Sequence, residues 1–183
     1  MVDTAERSTR RSTALDNPYV LLETSLGEML IELYPERAPK TVANFLQYVD
    51  DEHYDDTLFH RVVRGFVIQG GGYDSELTKK PTRDPVPNEA KGGLSNTLYS
   101  VAMARGPEKD SASDEFFINC ADNSADLDHQ DDSDEGYGYT VFGQVVEGEA
   151  AAKKINWKVV KPRGGFAELP AENMRILTAR RFE

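Results

Sequence analysis

The sequence predicts a mainly β fold, a closed antiparallel barrel with two helices packed against it. Three observations lead there. Short β-rich stretches recur along the chain between turn signals, only two stretches carry helical character, and so many short strands would expose unpaired edges unless the sheet closed on itself. A chain of 183 residues with 39% apolar content suits one domain with a continuous core.

The elements follow in order. Met1 to Asn17 is polar and aperiodic, with three arginines and no apolar run, so residues 1–17 are expected to form a disordered extension or a cloning remnant, with a targeting role as the alternative. Residues 18–183 are expected to form the folded domain. Tyr19 to Thr24 and Glu28 to Tyr34 are β-rich and flank Ser25-Leu26-Gly27, which predicts a hairpin ended by Pro35. A helix follows, with Pro39 in its first turn. Val42, Phe45, Leu46 and Val49 are spaced as one buried face, and Lys40, Asn44 and Gln47 are placed on the exposed one.

The chain is organised around Phe59 to Gly72, FHRVVRGFVIQGGG. Leu58–Val63 and Phe66–Gln69 read as strands joined by a tight turn at Arg64-Gly65. Side chains alternate faces along a strand, so Arg61 and Val63 project together and a cation stands beside an apolar wall. Tyr73 to Asn96 is broken by proline, glycine and charge and reads as a long surface loop. Strands resume at Ser100–Ala104 and Phe116–Asn119, around the polar segment Arg105 to Glu115. A strand at Thr140–Val146 leads into a short helix from Gly148 to about Ile155, and Asn173–Phe182 is the last strand.

Charge and composition exclude several classes of function. The 32 acidic against 21 basic residues give a net charge of −11, which opposes nucleic acid or an anionic membrane as partner. Cys120 is the single cysteine, so there is no internal disulfide, and no Cys/His spacing suits a structural zinc. With no long apolar run, a cytoplasmic monomer is expected, although a processed secreted form would look the same. Ser111 and Ser113 lack the elbow motif and a well-spaced histidine that a hydrolase would need.

Four ordered motifs then point to one family. FHRVVRGFVIQGGG, AMAR at Ala102–Arg105, EFFIN at Glu115–Asn119 and YTVFGQVVEG at Tyr139–Gly148 together resemble a bacterial-type cyclophilin over roughly Tyr19 to Arg181. The resemblance implies an eight-stranded antiparallel barrel capped by two helices. It also implies peptidyl-prolyl cis-trans isomerisation of X-Pro bonds in peptides and unfolded proteins, without cofactor or metal. Arg61 is the residue it assigns to the twisted imide, with Gln69 steadying the guanidinium. Phe66, Val67, Phe117 and Leu127 would line the proline slot, and Tyr139 stands where many relatives carry histidine. Ala104, Arg105 and Gln69 would meet the substrate backbone. Taken without the family, Phe66 and Phe117 read as ordinary core packing, and His60 reads as a buried, hydrogen-bonded histidine, since no acid–base step exists here.

This sequence departs from the family pattern at three positions. Val67 replaces a frequent methionine and keeps the slot apolar. Asp126 falls near an aromatic of some relatives, so the cyclic peptide cyclosporin should bind weakly. Glu115 replaces the usual glutamine and is expected either to pair with Arg61 or Arg105 in the groove, favouring basic residues beside proline, or to point into solvent. The acidic run Asp122 to Gly136 lacks the ordered spacing of a calcium loop and reads as solvated, and QGGG at Gln69–Gly72 lacks the G-K-[ST] of a phosphate loop. Close backbone packing accounts for those glycines. Two classes of function remain, a prolyl isomerase and a peptide-binding module that turns over poorly. An intact Arg61, Gln69 and Phe117 favour the isomerase.

Overall fold

The computed structural model describes residues 16–183, so the expected disordered extension lies outside the described residues except for Asp16 and Asn17. Apolar alternation builds the first hairpin. Val20, Leu22 and Thr24 of β1 (Tyr19–Thr24) and Met29, Ile31 and Leu33 of β2 (Gly27–Leu33) turn inward, as a period of two requires. The strands pair from Tyr19 opposite Glu32 to Thr24 opposite Gly27, and Gly27 closes the turn at a φ of 124°, open only to glycine.

Helix α1 (Pro39–Asp50) buries Val42, Phe45, Leu46, Tyr48 and Val49. Phe45 is its anchor, with ring centroids 4.9 Å from Phe142, 5.3 Å from Tyr54 and 5.5 Å from Phe116. No side chain next to the helix caps it. Instead Glu89, from the long loop, accepts from the Thr41 N–H at 2.7 Å and the Thr41 hydroxyl at 2.8 Å, placing a carboxylate at the positive helix end. Asn44 corrects the sequence reading. It is buried, not exposed, because its amide donates to the Ser113 carbonyl at 2.7 Å and ties α1 to the segment before the strand at 116–119.

The remaining strands are β3 (Thr57–Leu58), β4 (Arg61–Val63), β5 (Val67–Gly70), β6 (Ser100–Met103), β7 (Phe116–Asn119), β8 (Val141–Glu147) and β9 (Arg175–Phe182). They form one nine-stranded sheet in the order β3-β9-β1-β2-β8-β6-β7-β5-β4, every pairing antiparallel. Its two edges belong to one segment, because β3 and β4 are separated only by Phe59 and His60. Counted once, that segment gives the closed eight-stranded barrel the sequence implied. It splits because Thr57–Leu58 pairs with β9 while Arg61–Val63 pairs with β5.

Helix α3 (Glu149–Asn156) packs Ala151, Ala152 and Ile155 inward. A third helix, α2 (Ser124–Leu127), adds to the two expected; one turn is too short to show a period in sequence. The main core fills the barrel, from Val20, Leu22 and Ile31 to Phe45, Ile68, Phe116 and Phe142. A second apolar cluster holds Val67, Ala102, Ala104, Phe117 and Val141, with Phe66, Leu94, Leu127 and Tyr139 against it. Along β5 the faces alternate, so Val67 joins this second cluster while Ile68 joins the barrel core.

Candidate active site

Strand register assembles the site. Arg61 lies directly opposite Gln69, Gln69 opposite Phe117, and Phe117 opposite Ala102, so one row crosses β4, β5, β7 and β6. Residues directly opposite in antiparallel strands share a face, and this row stands on the face of the second cluster. It sets a guanidinium, an amide and an aromatic ring side by side.

Among the described residues, Arg61 is held at two points. Its Nε–H donates to Glu168 Oε2 at 2.7 Å and Nη1 donates to Gln69 Oε1 at 3.3 Å. A guanidinium has five N–H donors, so with these two committed, three remain. Beyond Gln69 the network continues inward. Gln69 Nε2 donates to Glu115 Oε1 at 3.2 Å, and the same oxygen lies 2.9 Å from His60 Nε2. A carboxylate only accepts, so this network assigns the hydrogen to His60 Nε2. His60 Nδ1 is buried with no hydrogen-bond partner among the described residues, in a ring packed against Tyr73 with centroids 4.7 Å apart. Burial pushes the Glu115 carboxyl up, but the His60 hydrogen bond and charge, with Gln69 and Lys79, more than offset it and hold it below the usual carboxylate range.

The turn between β4 and β5 is pinned from beneath. Asn156, 3% exposed at the end of α3, accepts from the Gly65 N–H at 2.9 Å and donates to the Val63 and Val67 carbonyls at 2.9 and 3.3 Å. Asn123 donates to the Phe66 carbonyl at 2.9 Å. Thus the hairpin that carries Arg61, Phe66 and Gln69 is fixed by two buried amides distant in sequence.

Above the row lies a cavity of about 430 Å³. Its lining combines the polar Arg61, Gln69 and Arg105 with the apolar and aromatic Phe66, Val67, Ala104, Phe117, Leu127 and Tyr139. Phe117 and Tyr139 meet edge to face at 5.7 Å. The Arg105 guanidinium lies 4.7 Å from the Tyr139 ring centroid and donates to the carbonyls of Gly106, Asp134 and Gly138 at 3.1, 2.8 and 3.0 Å. It therefore braces the loops beside the cavity.

Comparison with known proteins decides the family. Residues 19–181 match the family described as cyclophilin type peptidyl-prolyl cis-trans isomerase/CLD. The chain belongs to the cyclophilin family. Relatives include peptidyl-prolyl cis-trans isomerase A of Dickeya dadantii, 43% identical over 91% of this chain and 86% of that protein. An isomerase of Streptomyces antibioticus is 44% identical over 88% and 96% of the two chains, and isomerase B of Escherichia coli is 40% identical over 86% and 95%. A cyclophilin-type isomerase of Cryptosporidium parvum has the same fold, with a TM-score of 0.73 at 19% identity, covering 91% of this chain and 98% of that one. The activity that goes with membership is rotation about X-Pro bonds.

Nine of the ten residues that the cyclophilin resemblance singled out border the one cavity. The tenth, Glu115, stands behind Gln69 with its side chain 21% exposed. Neither expected alternative for it is realised: its partner is His60 rather than Arg61 or Arg105, and it is not turned into solvent. With its charge facing His60, it offers no ground for a preference for basic residues beside proline. His60 is the buried, hydrogen-bonded histidine expected. Sequence reading missed Glu168, Asn156 and Asn123, which lie in a loop, at a helix end and before a one-turn helix, where no periodicity marks them.

Proposed function

We propose that this cyclophilin isomerises exposed X-Pro segments of peptides and unfolded chains by a non-covalent route centred on Arg61. The barrier to rotation is amide resonance, about 18–20 kcal/mol. As the bond twists, the proline nitrogen becomes pyramidal and gains a lone pair that the planar ground state lacks. A fixed donor aimed there stabilises the transition state more than the substrate. The observation that carries the reading is the cross-strand row, which sets a two-point tethered guanidinium with three N–H groups to spare beside an apolar cavity. Phe66, Val67, Phe117 and Leu127 receive the proline ring, Tyr139 closes the slot, and Ala104, Arg105 and Gln69 meet the peptide backbone. No proton transfer and no metal are needed.

The relative from Cryptosporidium parvum has been crystallised in the presence of the dipeptide Ala-Pro, which supports a proline-sized ligand for the same fold. The protein works as a monomer in the cytoplasm, assisting folding, and binds cyclosporin weakly because exposed Asp126 on α2 supplies no aromatic surface. Titrating a labelled X-Pro peptide into labelled protein tests the assignment. Shifts should concentrate at Ala104, Phe117 and Tyr139 while cis and trans peptide signals begin to exchange. Exchange without shifts at these residues places the activity elsewhere, and shifts without exchange make the protein a binding module.

A further inference from the structure

We infer that Glu115 is a positioning residue that acts on Arg61 through Gln69, by dictating which end of the Gln69 amide faces the guanidinium. The inference rests on the reading of Arg61 above. Gln69 lies between a donor-only group and an acceptor-only group: Arg61 Nη1 at 3.3 Å from Oε1, and the Glu115 carboxylate at 3.2 Å from Nε2. Reversing the amide would turn its NH₂ toward a cation and its carbonyl toward an anion, mismatching both contacts at once. The amide therefore has one satisfactory orientation, and its carbonyl is directed at Arg61.

Glu115 is itself immobilised. His60 Nε2 lies 2.9 Å from the same Oε1, and Gly72 provides the seat: a Cβ at that position would stand 2.5 Å from Glu115 Cγ and 2.9 Å from Cδ. The carboxylate thus rests on bare backbone, with His60, Gln69 and Lys79 as the groups that act on it. Glu168 holds Nε on the other side, so the guanidinium is restrained from two directions. With an apolar residue at 115, Gln69 Nε2 would lose its acceptor and only the Arg61 contact would set the amide, so the side chain would be held at one end instead of two and the remaining donors of Arg61 would be less firmly aimed.

The test is a double-mutant cycle over a range of peptide concentrations that reaches saturation, with kcat and KM read separately. Glu115→Leu should lower kcat roughly tenfold with KM within about threefold, the size of effect expected for one charge-assisted hydrogen bond. Glu115→Gln retains an acceptor and should recover most of that loss. In a Gln69→Leu background, Glu115→Leu should cost less than about twofold, because the intermediary is gone. Gly72→Ala displaces the carboxylate without altering it and should reproduce the kcat loss if Glu115→Leu proves poorly folded. The Gln69 side-chain amide resonance provides a readout apart from rate: it should move as Glu115 titrates in acid and stay still in Glu115→Gln. An equal loss in both backgrounds, no loss in the wild-type background, or an amide blind to that titration overturns the inference. An Arg61→Lys arm separates the two levels: if it alone loses turnover, only the role of Glu115 fails, and if it keeps full turnover, the reading of Arg61 fails as well.

Discussion

Asn156→Ala should be among the most damaging single changes outside the cavity. The side chain makes three hydrogen bonds to the β4–β5 turn, two of them at 2.9 Å and one at 3.3 Å, and is 3% exposed. At about 1 kcal/mol net per bond, the loss is roughly 3 kcal/mol, and the groups left unpaired set a range of about 2–4 kcal/mol. Gly65 is an exposed turn residue, and water reaching the turn would keep the value from the upper end. For a domain of this size, about 3 kcal/mol corresponds to a fall in Tm of roughly 6–12 °C. Asn156→Asp keeps the acceptor for Gly65 but sets a carboxylate oxygen against two carbonyls, so at neutral pH it should cost at least as much. Urea unfolding checks both: the midpoint should fall with the slope unchanged. Turnover should fall too, since the hairpin carries Arg61 and Gln69. A loss below about 1 kcal/mol would show that the turn holds itself, and the assignment of Asn156 as its clamp would be wrong.

Three further outcomes follow from the same structure. The Glu115 carboxyl titrates lower in the folded protein than its ordinary value, so its contribution to stability is present above the unfolded-state pKa and is lost as pH falls through the lowered folded value; urea midpoints compared at pH 7 and in acid should drop less for Glu115→Gln than for wild type. Burial pushes the Cys120 thiol up to about 12, so at pH 8 a disulfide reagent should label it far more slowly than a free thiol and rapidly once urea unfolds the chain. Among the described residues no group of three or more His, Cys, Asp or Glu is placed to hold a metal ion, and a chelator should leave both Tm and turnover unchanged; a shift of several degrees would require the acidic loop from Asp122 to Glu135 to be reinterpreted.

Sequence reading worked where the physical signal is local. Period-two alternation located β1 and β2, helical spacing located α1, and the turn at Gly65 located the Arg61 hairpin. The glycines after Gln69 signal close packing, and a Cβ at Gly70 would stand 2.5 Å from the Leu58 carbonyl oxygen. What stayed hidden is long-range pairing of polar groups. Glu168 meets Arg61 across 107 positions, Asn156 meets Gly65 across 91, and Glu89 caps α1 across 48. These residues sit in loops or at helix ends, where hydropathy has no period and one Asn or Glu looks like another. The burial of Asn44 is hidden for the same reason: its partner, the Ser113 carbonyl, lies 69 positions away, and a polar residue on a helix otherwise points to water.

Turnover of Arg61→Ala, measured by exchange spectroscopy on a peptide at saturation together with its dissociation constant, tests the role of the guanidinium most directly. The substitution removes a group that matters most in the twisted state, so kcat should fall by on the order of 10²–10³ while peptide affinity changes only a few-fold. A folded Arg61→Ala protein that turns over at nearly the wild-type rate, or one whose loss lies wholly in affinity, would contradict it.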